Sequence, residues 1–195
     1  MKRIFDLFFS VIGLLVLLPV FIIISLLIVI DSRDGIFYRQ KRVGKDGKDF
    51  SLFKFRSMRT DADKSGLLTV GGRDSRITRM GYFIRKYKID ELPQLLNVFL
   101  GDMSLVGPRP EVRKYVDLYD AQQKLVLSVK PGITDYASIE YSNENEILGK
   151  AQNPEQVYIN EIMPAKLRLN LKYIAEKGMI TDVKIILNTI KKIVK

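Results

Sequence analysis

The chain has 195 residues, a net charge of +10 and 47% hydrophobic residues, enough for one buried core or for one domain with a membrane element. It has no Cys and no His, which excludes disulfides, Cys/His zinc sites, thiol chemistry and every mechanism that uses an imidazole base. Carboxylates, hydroxyls, Lys, Arg, Tyr or a hard metal held by oxygen remain, and the basic balance favours nucleic acid, anionic lipid headgroups or phosphorylated small molecules as partners.

The first element is apolar. Leu7 to Ile30 carries no charged residue, and as a straight helix it runs roughly 36 Å, enough for a bilayer core. A cleaved signal peptide fits poorly, because the run is long and Asp31-Ser32-Arg33-Asp34 follows it instead of a small-residue cleavage site. Pro19, in the middle, removes a backbone donor and predicts a kink. Basic residues flank both ends: Lys2 and Arg3 before; Arg33, Arg39, Lys41, Arg42, Lys45 and Lys48 after. The positive-inside rule puts both flanks on the cytoplasmic side only if the helix turns at Pro19 and leaves by the face it entered. Proline kinks also occur in ordinary spanning helices, so these residues leave re-entrant and spanning topologies both open.

Phe37 to Val43 and Phe50 to Phe55 predict two strands around Lys45-Asp46-Gly47-Lys48, with Asp-Gly as the hairpin turn signal. Neither GxxxxGK[ST] nor GxGxxG occurs, so P-loop and Rossmann sites have no support. Arg59 to Arg79 is polar and predicts a loop. Leu92, Leu95, Leu96 and Phe99 fall at helical spacing, with Gly101 as the stop. Val106 to Pro110 predicts a rigid turn, and Glu111 to Val129 a helix that ends before Lys130-Pro131-Gly132. In the C-terminal stretch, Val183, Ile186, Leu187, Ile190 and Val194 make an apolar stripe opposite Lys184, Asn188, Lys191 and Lys195, capped by Asp182 or Thr181. Such a helix either packs its stripe on the core or lies in a membrane interface with its lysines toward headgroups.

Asp90 and Glu91 stand at the start of the helix near Leu92. Acids there cap a helix and complement its dipole. The alternative is chemistry: one carboxylate as nucleophile or metal ligand, the other assisting, with Pro93 stiffening the backbone and the helix N-terminus favouring a phosphate. That combination suits phosphoryl transfer through an acyl phosphate. Lys54 and Arg56, two apart on a predicted strand, share a face. Arg85 lies five residues before Asp90, and Arg109 sits between prolines in Gly107-Pro108-Arg109-Pro110, where a fixed guanidinium can grip a phosphate. Taken singly, each of these cations also reads as a solvated surface charge.

Five stretches then carry a resemblance: Lys2-Arg3-Ile4-Phe5-Asp6, Phe53-Lys54-Phe55-Arg56-Ser57-Met58, Ile89-Asp90-Glu91-Leu92-Pro93-Gln94-Leu95, Gly101 to Pro110, and Lys130-Pro131-Gly132-Ile133-Thr134. In this order they resemble the bacterial sugar transferase family, the monotopic phosphoglycosyl transferases, in its small form. The resemblance implies a mixed α/β, helix-rich fold: a re-entrant membrane helix over residues 1–31, then a catalytic domain over 32–195 on the cytoplasmic face of the bacterial inner membrane, with a short hairpin and interfacial amphipathic helices around one site. It implies transfer of a sugar phosphate from a UDP-sugar to polyprenyl phosphate (undecaprenyl phosphate) with release of UMP, an early membrane step of glycan assembly. By it Asp90 is the nucleophile and forms a phosphosugar intermediate, Glu91 helps hold Mg2+, and Arg85 and Arg109 contact phosphates, with Lys54 and Arg56 as further phosphate-binding candidates. Anionic lipids are expected partners, nucleic acid is not, and homo-oligomerisation stays open.

Two rivals differ by class. A membrane-anchored nucleic-acid binder leaves the acidic dyad and the Gly-Pro-Arg-Pro turn without roles, and a glycosyltransferase moving sugar without phosphate releases UDP. Two departures from the family pattern stand out. Leu18-Pro19 replaces a Ser-Pro break, and Asp135-Tyr136-Ala137-Ser138-Ile139-Glu140 replaces a Gly-Trp-Ala-Gln continuation. The sugar and the glycan pathway are not readable from these residues.

Overall fold

The apolar run forms α1, Lys2–Asp31, in the computed structural model, which describes residues 1–32, 35–60, 62, 66, 68–71 and 74–194. Arg33 of the basic flank, positions 61, 63–65, 67 and 72–73 of the predicted polar loop, and Lys195 lie outside the described residues, as does the side chain of Val194. Over an 18-residue window α1 has a mean hydropathy of 3.2, and only 11% of that window is buried. Leu15, Val16, Leu26 and Ile30 are among its exposed side chains, so it is long and apolar enough to cross a membrane. The helix continues through Pro19 as one element. Proline deletes one donor, and the turns on either side keep their own bonds.

Both ends of α1 are tied to the rest of the chain. At its start, Arg3 donates to the carbonyls of Val98 (2.5 Å) and Phe99 (2.9 Å), Lys2 pairs with Asp182 at 2.5 Å, and buried Asp6 accepts from Ser104 Oγ and Leu105 N–H, each at 3.1 Å. At its end, Ile24 and Ile28 pack with Phe55 and Ile84, and Asp31 accepts the Met80 N–H at 2.9 Å.

The hairpin forms as its sequence dictates. Strands β1, Phe37–Val43, and β2, Asp49–Phe55, pair antiparallel with Val43 opposite Asp49 and Phe37 opposite Phe55. Asp46 (φ 57°) and Gly47 (φ 73°) make the left-handed turn between them, a conformation that Asp and Gly tolerate. Helix α2, Arg79–Lys86, is capped by Thr78, whose hydroxyl accepts from Gly81 N–H at 3.0 Å. A 3-10 turn, Ile89–Glu91, then leads into α3, Gln94–Leu100, which stops at Gly101 (φ 101°). Buried Asn97 stitches α3 to β2 by accepting Phe53 N–H (2.9 Å) and donating to the Ser51 carbonyl (2.7 Å).

Strand β3, Ser104–Val106, pairs parallel with β4, Gly132–Thr134. The strands approach so closely at Gly107 and Gly132 that a Cβ on Gly132 would stand 2.0 Å from Gly107 N. Any larger residue there would force the ladder apart and move the turn that carries Arg109.

The predicted helix over Glu111 to Val129 is broken. Only α4, Arg113–Val116, and a 3-10 stretch, Gln123–Ser128, are helical. Asp120 Oδ1 accepts Gln123 N–H at 2.7 Å and Gln123 Oε1 accepts Asp120 N–H at 3.0 Å, a reciprocal cap that starts a new turn in mid-segment. Tyr115, Val116, Tyr119 and Val126 still reach the main core, with Tyr158, Ile162, Met163 and Leu167.

Short helices α5, Tyr136–Glu140, α6, Glu144–Gly149, and α7, Pro154–Val157, precede a π turn at Tyr158–Ile162 and α8, Met163–Glu176. Pro164 lacks the N–H that would close a regular turn at that junction. The last helix is α9, Met179–Val194. It begins before Thr181 and Asp182, so neither residue caps it. Asp182 instead lies buried, bonded to Lys2 and to Tyr173 OH (2.8 Å). The face of α9 turned inward is Asp182, Ile185 and Thr189, whereas Val183, Leu187, Ile190 and Ile193 are exposed. Of the apolar stripe, Ile186 packs against the core cluster of Val106, Tyr173 and Ile185, whereas Val183, Leu187 and Ile190 point away from it.

Candidate active site

The 3-10 turn holds its two carboxylates in opposite circumstances. Lys88, with φ 57°, turns the chain out of α2 so that Ile89–Glu91 enters the interior. Glu91 receives both guanidinium nitrogens of Arg109, one at 3.0 Å and one closer, and Lys54 Nζ at 3.1 Å. Asp90 is buried, and no described residue offers it a hydrogen bond or an ion pair.

Electrostatics follow from that geometry. Burial pushes the Asp90 carboxyl above the usual aspartate range, and the adjacent Glu91 charge pushes the same way; Lys54, Arg85 and Lys88 oppose this without reversing it. Burial also pushes Glu91 up, but Arg109 and Lys54 outweigh it and hold Glu91 well below its usual range. Burial lowers the Lys54 ammonium although Glu91 favours its charged form, and Glu91 raises Arg109 still further. Glu91 is thus a fixed anion already neutralised. Asp90 is a carboxylate with unused lone pairs, ionised at a cost and attractive to an electrophile or a cation.

Each partner is placed by its own element. Lys54 projects from β2, which Asn97 ties to α3. Arg109 rides on the Gly107–Pro110 turn, whose backbone is fixed by Asp135: Asp135 Oδ2 accepts Arg109 N–H at 3.1 Å, while its Oδ1 caps α5 through Ser138 N–H at 2.6 Å. Arg85 donates to Thr69 Oγ1 at 2.9 Å, and Arg56 reaches the Phe37 carbonyl at 3.4 Å. Neither touches the dyad, but both line the same cavity of about 1440 Å³ with Lys54, Asp90, Glu91 and Arg109. Its lining also includes Phe5, Phe9 and Gly13 of α1 and Ile186, Leu187 and Ile190 of α9, so charged and apolar side chains share one cavity. Pro19 stands apart from it.

A metal would have little protein to hold it. Among the described residues no three Asp or Glu side chains cluster. The Asp90–Glu91 pair fits Mg2+ only in the manner of an ion bound by one or two carboxylates and completed by substrate phosphates and water, and Glu91 would share its oxygens with the two cations it now serves.

The profile of bacterial sugar transferases matches residues 1–195. The chain belongs to the bacterial sugar transferase family. A Bacillus subtilis member, named a putative undecaprenyl-phosphate N-acetylgalactosaminyl 1-phosphate transferase, is 52% identical over 110 residues, which are 56% of this chain and 62% of that protein. An Aeromonas hydrophila UDP-N-acetylgalactosamine-undecaprenyl-phosphate N-acetylgalactosaminephosphotransferase is 35% identical over 98% of this chain but only 43% of its own length. The Rhizobium leguminosarum exopolysaccharide production protein PSS is 36% identical over 97% of this chain and 93% of its own. The chain spans roughly half the length of the first two relatives and nearly all of the third.

In this family member the structure joins Lys54, Asp90, Glu91 and Arg109 at one point and leaves Arg56 and Arg85 on the surrounding wall. Asp135, which fixes the Arg109 backbone, was given no role by the sequence. Its signal was present: Asp135 and Ser138 stand at N-cap spacing, but the carboxylate's second bond, to Arg109, joins residues 26 apart.

Proposed function

We propose that this family member moves a sugar phosphate from a UDP-sugar to a polyprenyl phosphate such as undecaprenyl phosphate and releases UMP, the initiating membrane step of a glycan such as a capsule, exopolysaccharide, O-antigen or glycoprotein. The observation that carries the reading is the unpartnered Asp90 carboxylate beside a neutralised Glu91, in a cavity lined by both cations and apolar side chains. A phosphorylated lipid can lay its chain against those apolar side chains and bring its headgroup to Asp90.

The chemistry proceeds in two displacements at one phosphorus. Asp90 attacks the phosphorus that bears the sugar; the bond from that phosphorus to the bridging oxygen breaks, and UMP leaves with the bonding electrons. The acyl phosphate on Asp90 is then attacked by an oxygen of the lipid phosphate, which frees the carboxylate and makes the lipid diphosphosugar. Lys54, Arg56, Arg85 and Arg109 bind the donor's phosphates and reduce the repulsion between them and the attacking carboxylate. Glu91, together with the donor's phosphates, would hold Mg2+, which would supply further neutralisation of the phosphate charge.

The catalytic body on the cytoplasmic face and a re-entrant α1 follow from the same reading. Asp6 and Asp31, near opposite ends of α1, both bond to the same folded body, and one body cannot sit on both sides of roughly 30 Å of hydrocarbon. The basic flanks favour the cytoplasm for that side. The exposed stripe of α9 lies in the interface by the same logic. The test is the nucleotide product from a panel of UDP-sugars with polyprenyl phosphate. UMP, lost in EDTA and restored by Mg2+, is expected; UDP as the product, or full activity in EDTA, contradicts the reading.

A further inference from the structure

We propose that Ser138 and Asn170 form the subsite that reads the sugar of the donor, an inference that rests on the transferase reading above. Four buried side-chain polar atoms lack a hydrogen-bond partner among the described residues: Arg56 Nε, Gln94 Nε2, Ser138 Oγ and Asn170 Oδ1. The last two belong to helices that pack together, α5 and α8, and both residues line the large cavity. Asn170 is only 5% exposed, so its unpaired oxygen is not satisfied by bulk solvent. Buried polar atoms are ordinarily paired, and an orphan in a cavity wall marks a place where a ligand atom completes the set.

The two residues are held beside the phosphate grip. Ser138 N–H and Arg109 N–H bond to the two oxygens of one carboxylate, that of Asp135, at 2.6 and 3.1 Å. Asn170 also lines a small pocket with Pro108, Arg109, Pro110 and Glu111. Ser138 and Asn170 therefore stand beside the backbone of the turn that carries Arg109, whose guanidinium reaches on to Glu91. The α8 face that presents Asn170 also carries Met163, Lys166 and Leu167, at helical spacing. Lys166 is itself neutralised by Glu144 at 2.7 Å.

The chemistry of the pair selects the ligand. A hydroxyl can donate or accept, and a carboxamide oxygen demands a donor. The Asn170 oxygen is acceptor-only and unsuited to phosphate, whose recognition falls to the charged Arg109, Lys54, Arg56 and Arg85. Neutral rings bearing hydroxyl or amide groups fit, and a nucleotide sugar has two: the nucleoside and the sugar. The sugar is the one attached to the phosphorus that Asp90 attacks, so it lies nearest Arg109.

The test compares kcat/KM, by UMP release, for wild type, Ser138→Ala, Asn170→Ala and Asn170→Asp. The donors share UDP and differ only in the sugar: the C4 epimers glucose and galactose, each with a C2 hydroxyl or acetamido group. A site built to hydrogen-bond a hydroxyl or amide loses its selectivity when the partner is removed. The preferred donor is expected to lose about tenfold or more on removal of either side chain, while the poorest loses little, so the ratio between them collapses. Thermal stability of Ser138→Ala is expected to match or exceed wild type, because an unpaired buried hydroxyl is lost. Equal losses for all donors, with weakened inhibition by UDP alone, would assign the pair to the nucleoside and overturn the proposal. Lower stability with unchanged donor ratios overturns it as well. If wild type releases no UMP from any donor, the transferase reading fails first and the inference falls with it.

Discussion

Adjacent carboxylates of opposite character make the chemistry of Asp90 and Glu91 separable. Because burial raises Asp90 in the fold, the native state binds its proton more tightly than the unfolded chain does. Stability from this group is therefore lost as pH rises through the window above the ordinary aspartate range, and at neutral pH its ionised form is a standing cost. Asp90→Asn should be more stable than wild type at neutral pH, an advantage that shrinks as pH falls, while turnover is abolished. Glu91→Gln should behave oppositely. It strands Arg109 and Lys54, and we expect a loss of about 2–3 kcal/mol, less than for a fully buried pair because the Arg109 side chain keeps 31% exposure. Thermal melts of both variants across pH check the signs; a destabilised Asp90→Asn beside an unaffected Glu91→Gln would reverse the assignment. The acid limb of activity should also lie above the ordinary carboxylate range, since the attacking group must be ionised. The sequence made the dyad and Arg109 legible, but not this asymmetry. Lys54 and Arg109 stand 37 and 18 residues from Glu91, and only the fold decides which carboxylate they choose.

At the scale of elements, local patterning was readable wherever local chemistry decides. The β1–β2 hairpin followed from two apolar runs around an Asp-Gly turn, and α3 ended at Gly101 because a left-handed residue was needed there. Patterning misled where tertiary bonds decide. Glu111 to Val129 has helical composition, yet the Asp120–Gln123 cap interrupts it. The α9 stripe is amphipathic, which cannot say which face is inward. Asp182 decides that by bonding Lys2 and Tyr173 in the interior, so Asp182, Ile185 and Thr189 turn inward while Leu187 and Ile190, each 53% exposed, point out. Leu187→Asp with Ile190→Asp should therefore leave the melting temperature within a few degrees of wild type. In flotation with vesicles containing anionic lipid, the double variant should bind more weakly than wild type. A large loss of stability would mean that the stripe packs on the core after all.

For the whole molecule, the two ends of α1 and the catalytic body are one mechanical unit. Asp6 holds β3 through Ser104 and Leu105, and β3 leads directly into the Arg109 turn, so the helix start and the site are placed together. Single cysteines introduced near residue 2 and near residue 45, in a chain with no native cysteine, should both be shielded from an impermeant reagent outside the cell. Labelling of either from outside contradicts a same-side α1. The central claim is the covalent step on Asp90. Its most direct test is intact-protein mass spectrometry after incubation with UDP-sugar alone, without lipid acceptor. A sugar-phosphate adduct is expected on wild type, disappears when polyprenyl phosphate is added and never forms on Asp90→Asn; an adduct on Asp90→Asn, or turnover by wild type through no adduct at all, rules out Asp90 as the nucleophile.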